Sequence, residues 1–304
     1  MLPRNLTPSA ALAALAALVL IAPAVALADT VERTFDVAPG GTLKIDTDQG
    51  SIDIRSAPGN QVRIRVERKA RSGSDADFEL RFEQRGDDVI VTGERPGSGW
   101  FGSRRFRVRF EIEVPQRYNL DLDTSGGSIS IADLEGDVDC HTSGGSISID
   151  DIDGKVDCRT SGGGIDIGRI EGSVLAKTSG GSIRIDRSGG SVVAKTSGGN
   201  ITVHEVLGSI EATTSGGNIK ATISQQPQAD CRLSTSGGRV ELALASSIAV
   251  DLDAKTSGGR VNVDLPVTVQ GHLGRSSLQG KINGGGPQLY LRTSGGSIYI
   301  RKIG

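Results

Sequence analysis

Asp121, Asp139 and Asp157 recur 18 residues apart, each three places before a threonine. Carboxylates grouped on one outward face are what a polysaccharide-cleaving site requires, one as acid and one as base or nucleophile. On adjacent strands they would stack about 5 Å apart, and like-charge repulsion would raise their proton affinities. The next column holds Asp123, His141, Arg159, Lys177, Lys195, Lys255 and Arg292. Opposite charges this close support the plainer reading, a solvated ladder whose members relieve one another. Asp150-Asp151-Ile152-Asp153-Gly154 has the composition of a calcium loop but lacks the remaining ligands and the terminal Glu. His141, His204 and His272 fall in different columns without triad partners. No serine sits in a Gly-x-Ser-x-Gly elbow. Three cysteines and three scattered histidines are too few for a metal centre. Cys140 and Cys158, one repeat apart, read as buried thiols packing as small hydrophobes, although neighbouring strands would bring their Cα atoms within disulfide reach. No catalytic constellation and no cofactor are expected.

The elements that would position these side chains are repeats. Thr-Ser-Gly-Gly occurs nine times, starting at Thr124, Thr142, Thr160, Thr178, Thr196, Thr214, Thr235, Thr256 and Thr293. The first six starts are 18 apart, the next two gaps are 21 and the last is 37. After each Thr comes an alternating segment such as Ile165-Asp166-Ile167, and before it a second such as Val156-Asp157-Cys158. Alternation with period two predicts strands with one buried face, and the β-branched residues suit that surface. One unit cannot bury its own face, so copies must stack. The Thr is predicted inward, bonding local backbone. The Ser is predicted outward, and the Gly-Gly pair is expected to supply backbone angles that a Cβ resists. Ser277 to Ile282 reads as a worn copy of the repeat within the 37-residue gap, and Thr47 to Ile52 as another. The fold expected is all-β: a single β-solenoid (β-helix) of about 18–21-residue turns over 121–304, with a β-rich N-terminal cap over 29–120.

Residues 1–28 carry a positive start at Arg4, an apolar stretch from Ala10 to Ala22 and a small-x-small site at Ala26-Leu27-Ala28. This is the pattern of a cleaved export signal. No later segment is apolar and long enough to span a membrane, so the expected location is periplasmic, extracellular or at the cell surface. With 34 basic against 36 acidic residues, nucleic-acid binding has no electrostatic footprint.

The repeated Thr-Ser-Gly-Gly-x-Ile-x-Ile, the Glu113-Val114-Pro115 entry segment and Gly280-Lys281-Ile282-Asn283-Gly284-Gly285-Gly286 resemble the bacterial "putative adhesin" β-strand-repeat family, a domain of unknown function. The resemblance spans nearly all of the chain after residue 28. It implies a β-solenoid at or beyond the cell envelope and supplies no catalytic residues. The expected role is therefore a non-catalytic, adhesin-like binding or structural module, whose partners are an envelope or surface polymer or protein. The alternatives are a polysaccharide-active β-helix enzyme and a scaffold that self-associates edge to edge. Two candidate binding surfaces follow. Trp100, Phe101, Arg104 and Arg105 form either an aromatic-basic, glycine-flanked loop with favoured contact residues or a hairpin whose Trp folds back to cover the N-terminal cap. Asp166, Arg184 and Lys220 belong to an outward column suited to an extended polymer.

Overall fold

Alternating apolar residues must turn one side of every strand away from water, and the computed structural model of the chain shows two sheets doing so against each other. It describes residues 29–70, 78–95, 106–269 and 274–303; the expected export signal lies outside them. In chain order the described strands are β1 Asp29–Asp36, β2 Thr42–Thr47, β3 Ser51–Ala57, β4 Gln61–Ala70, β5 Glu79–Arg85, β6 Asp88–Glu94, β7 Phe106–Pro115, β8 Asn119–Thr124, β9 Ile129–Ile131, β10 Leu134–Glu135, β11 Val138–Thr142, β12 Ile147–Ile149, β13 Ile152–Asp153 and β14 Val156–Thr160. They continue with β15 Ile165–Ile170, β16 Val174–Lys177, β17 Ile183–Ser188, β18 Val192–Lys195, β19 Ile201–Val206, β20 Ile210–Thr214, β21 Ile219–Ile223, β22 Cys231–Thr235, β23 Val240–Leu244, β24 Val250–Thr256, β25 Val261–Val263, β26 Ser277–Ile282, β27 Gln288–Thr293 and β28 Ile298–Lys302.

The first sheet has the order β1-β4-β7-β3-β9-β12-β15-β17-β19-β21-β23-β28-β25, with β10 and β13 attached beside it. The second has the order β26-β24-β27-β22-β20-β18-β16-β14-β11-β8-β2-β6-β5. Pairing is parallel except at the ends, where β1–β4, β4–β7, β5–β6 and β24–β26 are antiparallel. The inner faces form one core: Ile165 and Ile167 are buried at 2% and 0% exposure, while Asp166 between them is exposed.

The corners explain the repeat. Each repeat threonine is buried. The Thr142 hydroxyl donates to Gly127 O of the rung below at 2.8 Å and accepts from Gly145 N at 3.3 Å. Thr160, Thr178, Thr196 and Thr214 repeat both bonds one rung at a time. The second glycine is required by close approach. A Cβ on Gly163 would overlap the Gly145 carbonyl. No glycine of the nine Thr-Ser-Gly-Gly motifs has a positive φ, so the angular role expected of that pair is corrected to a steric one; Gly50 of the worn copy does lie at φ 137°.

The expected single β-solenoid with an N-terminal cap does not form. A continuous coil stacks its turns in chain order, and here both ends break that order. The pair β2–β3 lies between β6–β7 and β8–β9, and β27–β28 lies between β22–β23 and β24–β25. Thr293 accordingly donates to Gly238 O, and Thr256 to Gly296 O. Ser277–Ile282, expected as a worn repeat, instead runs antiparallel along β24 as the edge of the second sheet. The physical reason lies in the ladders. Every rung presents the same residue types to its neighbours, so stacking energy holds rungs in register without dictating their sequence. A parallel stack also leaves open edges; antiparallel strands finish both sheets at one extreme and the second sheet at the other, where the first ends on β25, parallel to β28. Thr47 to Ile52 does behave as a rung, with Thr47 opposite Thr124 and Ile52 opposite Ile129.

Candidate functional site

Strand parity places one polar column on the outside of the first sheet. Ser130, Ser148, Asp166, Arg184, Thr202, Lys220 and Glu241 lie side by side in register. Asp166 and Arg184 are neighbours, their charged atoms 3.8 Å apart and both side chains 61% exposed. Lys220 is separated from Arg184 by Thr202 and lies next to Glu241. Trp100, Phe101, Arg104 and Arg105 lie outside the described residues, and so does His272.

The second sheet carries the aspartate column. Asp121, Asp139 and Asp157 stack in register. Lys44 reaches Asp121 at 2.6 Å, and Arg159 reaches Asp157 at 2.6 Å. The Asp121 hydrogen bond and charge raise the Lys44 pKa. Burial pushes the Asp157 carboxyl above the usual range; the Arg159 charge opposes that shift and Asp139 adds to it. Asp157 Oδ1 is buried without a hydrogen-bond partner. The arrangement is a charge ladder with one strained member, and two of its three carboxylates hold cations at ion-pair distance.

The remaining titratable groups have structural surroundings. Cys140 and Cys158 are fully buried free thiols with sulfurs 3.4 Å apart. Burial, reinforced by Cys140, holds the Cys158 thiol well above its ordinary pKa, the opposite of what a nucleophilic cysteine needs. His204 lies 4.0 Å from Asp186 on the surface. Among the described residues no group of three or more His, Cys, Asp or Glu could hold a metal ion, and no helix is long and apolar enough to cross a membrane.

One cluster escaped sequence reasoning. The out-of-order insertion of β27 puts Tyr290 beside Arg232 and Asp253. The Arg232 guanidinium lies 4.8 Å from the ring centroid and that of Arg292 5.8 Å, and Arg292 also pairs with Asp253. The only signal was the 37-residue gap, which marks an irregularity without saying which rungs become neighbours.

The sequence matches the Toastrack DUF4097 family over residues 41–301. The chain belongs to that family. The toastrack match covers both reordered ends as well as the regular centre. Solved structures similar to this toastrack chain include a "putative adhesin" from Bacteroides fragilis, at 11% identity over 90% of this chain and 97% of that one, with a TM-score of 0.37. A "putative lipid binding protein" from Parabacteroides distasonis shares 12% identity over 91% of this chain and 97% of that one, with a TM-score of 0.37. A "putative cell adhesion protein" from Clostridium sporogenes shares 13% identity over 90% of this chain and all of that one, with a TM-score of 0.25. No curated protein matches the sequence.

Proposed function

We propose that this toastrack chain is an exported, non-catalytic, adhesin-like module of the cell envelope that holds an extended polymer or a surface protein along its outer faces. Residues 1–28 act as the export signal. The observation that carries this reading is the in-register column Ser148, Asp166, Arg184, Thr202, Lys220 and Glu241. It offers charges of both signs and hydroxyls at one strand spacing, about 4.8 Å, along one outward face. Such a face recognises a long repeating partner through many weak contacts. The aspartates of the second sheet support the non-catalytic part, because Asp121 and Asp157 each hold a cation instead of forming the isolated acid and base that glycoside cleavage needs.

The test is attachment of residues 29–304 to envelope extracts and to a glycan panel. Replacing Asp166, Arg184 and Lys220 together with Ala should weaken attachment without moving the thermal melt. Replacing Trp100, Arg104 and Arg105 with Ala tests the aromatic-basic loop as a second anchor. Attachment undiminished by either triple variant sinks both surfaces. Polysaccharide cleavage abolished by Asp139→Asn and Asp157→Asn would establish the enzyme reading instead.

A further inference from the structure

We propose that the edge strand β5 is a self-complementary docking edge that joins two copies of this chain through antiparallel β5–β5 pairing centred on Phe82. This inference is independent of the polymer-binding reading. β5 ends the second sheet and pairs only with β6. Among the described residues, no backbone group from Glu79 to Arg85 has a backbone partner outside that pair. Among the described residues, therefore, nothing occupies the donors and acceptors on one side of the strand, the template for adding a strand.

The sequence of the strand selects the partner. Glu79-Leu80-Arg81-Phe82-Glu83-Gln84-Arg85 is antisymmetric in charge about Phe82. Antiparallel pairing with Phe82 opposite Phe82 of a second copy sets Arg81 opposite Glu83 and Glu79 opposite Arg85, and each pair occurs twice by symmetry. Opposite charges directly across a strand pair are stabilising and like charges are not. Phe82 is half-buried, with the Arg33 guanidinium of β1 5.5 Å from its ring centroid, and the two rings come together at the centre of the paired edge, where an aromatic pair adds to the contact. All four charged side chains are more than half exposed, and among the described residues their ion pairs are with neighbours two residues away, Arg81–Glu79 at 3.3 Å and Arg85–Glu83 at 2.8 Å.

The other edges lack this combination. β26 exchanges two backbone bonds with Thr268, both 2.9 Å, and Val261 of β25 donates to Arg275 O. On β1, the symmetric register that sets Val31 opposite Phe35 would place Arg33 against Arg33. A stack with one self-complementary edge at one end closes as a two-fold dimer and does not grow into a fibre.

Sedimentation velocity across a concentration series tests the proposal. The wild type should dimerise reversibly. In the proposed register Arg81→Glu leaves two carboxylates facing each other across the strand pair, and Glu83→Arg leaves two guanidiniums there. Each variant alone should therefore dimerise at least about tenfold more weakly. An equimolar mixture of the two restores every cross-strand pair and should form heterodimers at the wild-type strength. The mixture restores no ion pair inside either chain, so recovery reports the intermolecular edge alone. Matching melts of all variants exclude misfolding as the cause. A wild type that stays monomeric at the highest concentration reached, a dimer indifferent to Arg81→Glu, or a mixture that does not associate would each overturn the proposal.

Discussion

In the centre of the molecule, from β11 to β21, stacking order follows chain order and a strand's neighbours are one repeat away. At the two ends the neighbours come from far along the chain: Lys44 pairs with Asp121, and Thr293 bonds to Gly238. The centre needs only a unit that can stack on itself, and the threonine staple with the bare second glycine supplies it. The ends need something the repeat cannot provide, a way to stop. Each is built by sliding one rung between two others, with an antiparallel strand finishing both sheets at the first end and the second sheet at the other. Repetition supplies length, and irregular, long-range pairing supplies termination.

Four sets of substitutions break or sharpen this contrast. The largest effect is expected in the central core. Ile165→Asp buries an unpaired carboxylate and should cost several kcal/mol, roughly, whereas Asp166→Asn on the adjacent outward position should stay within about 0.5 kcal/mol. Equal shifts in urea melts would mean that the inward and outward faces are misassigned.

Leu291→Ala probes the inserted rung at the other extreme. Leu291 is fully buried, and truncation should cost about 2–5 kcal/mol. Because β27 pairs with both β22 and β24, hydrogen-exchange protection should fall in both neighbours together. Protection lost in β24 alone would contradict the inserted position.

The corner glycines separate two explanations of one motif. Gly163→Ala drives a Cβ into the carbonyl below and should cost about 1–3 kcal/mol. A Cβ on Gly126 meets no atom within 4 Å, so Gly126→Ala should stay within about 0.5 kcal/mol. If backbone angle were the requirement, both would be costly.

The smallest effect is electrostatic. The folded-state pKa of Asp157 is raised by burial, so the stability tied to its protonated form is complete below the unfolded value and is lost as pH rises through the folded one. Asp157→Asn should therefore melt slightly above wild type at neutral pH, with the difference vanishing in acid. Asp151 runs the other way. Hydrogen bonds from Arg169 lower its pKa, so its contribution is present above the unfolded value and fades as pH falls through the folded one. Asp151→Asn should melt slightly below wild type at neutral pH. The same sign for both variants would refute the assignment.

The inward columns, the buried threonines and the outward charges were legible because strand periodicity and repeat spacing state them directly, as at Ile165, Thr142 and Asp166. The order of the rungs was not. Leu252 to Thr256 and Leu289 to Thr293 share one pattern, and either could follow β22 as far as alternation can tell. Ser277–Ile282 misled for the same reason. Its alternation fits a strand of either direction, and what makes it an antiparallel edge is long-range, the close approach of Val267 and Thr268 to Gly280. The glycine motif was visible but its cause was not, since a carbonyl one rung away does not appear in a local sequence. Of the candidate surfaces, the Asp166–Arg184 contact follows from the 18-residue spacing, whereas the Arg232–Tyr290–Arg292 cluster depends on an insertion that only the folded chain shows.

The inserted rung near Lys302 has a mechanical consequence. An edge strand under tension can be peeled away one hydrogen bond at a time. β27 and β28 are gripped on both sides, by β22 and β24 and by β23 and β25. A pull transmitted through Ile303 therefore loads two ladders at once, in shear along the strand direction. The terminal rung beyond it carries half of that load, and the stack resists as a clamp does, by holding what lies between its jaws.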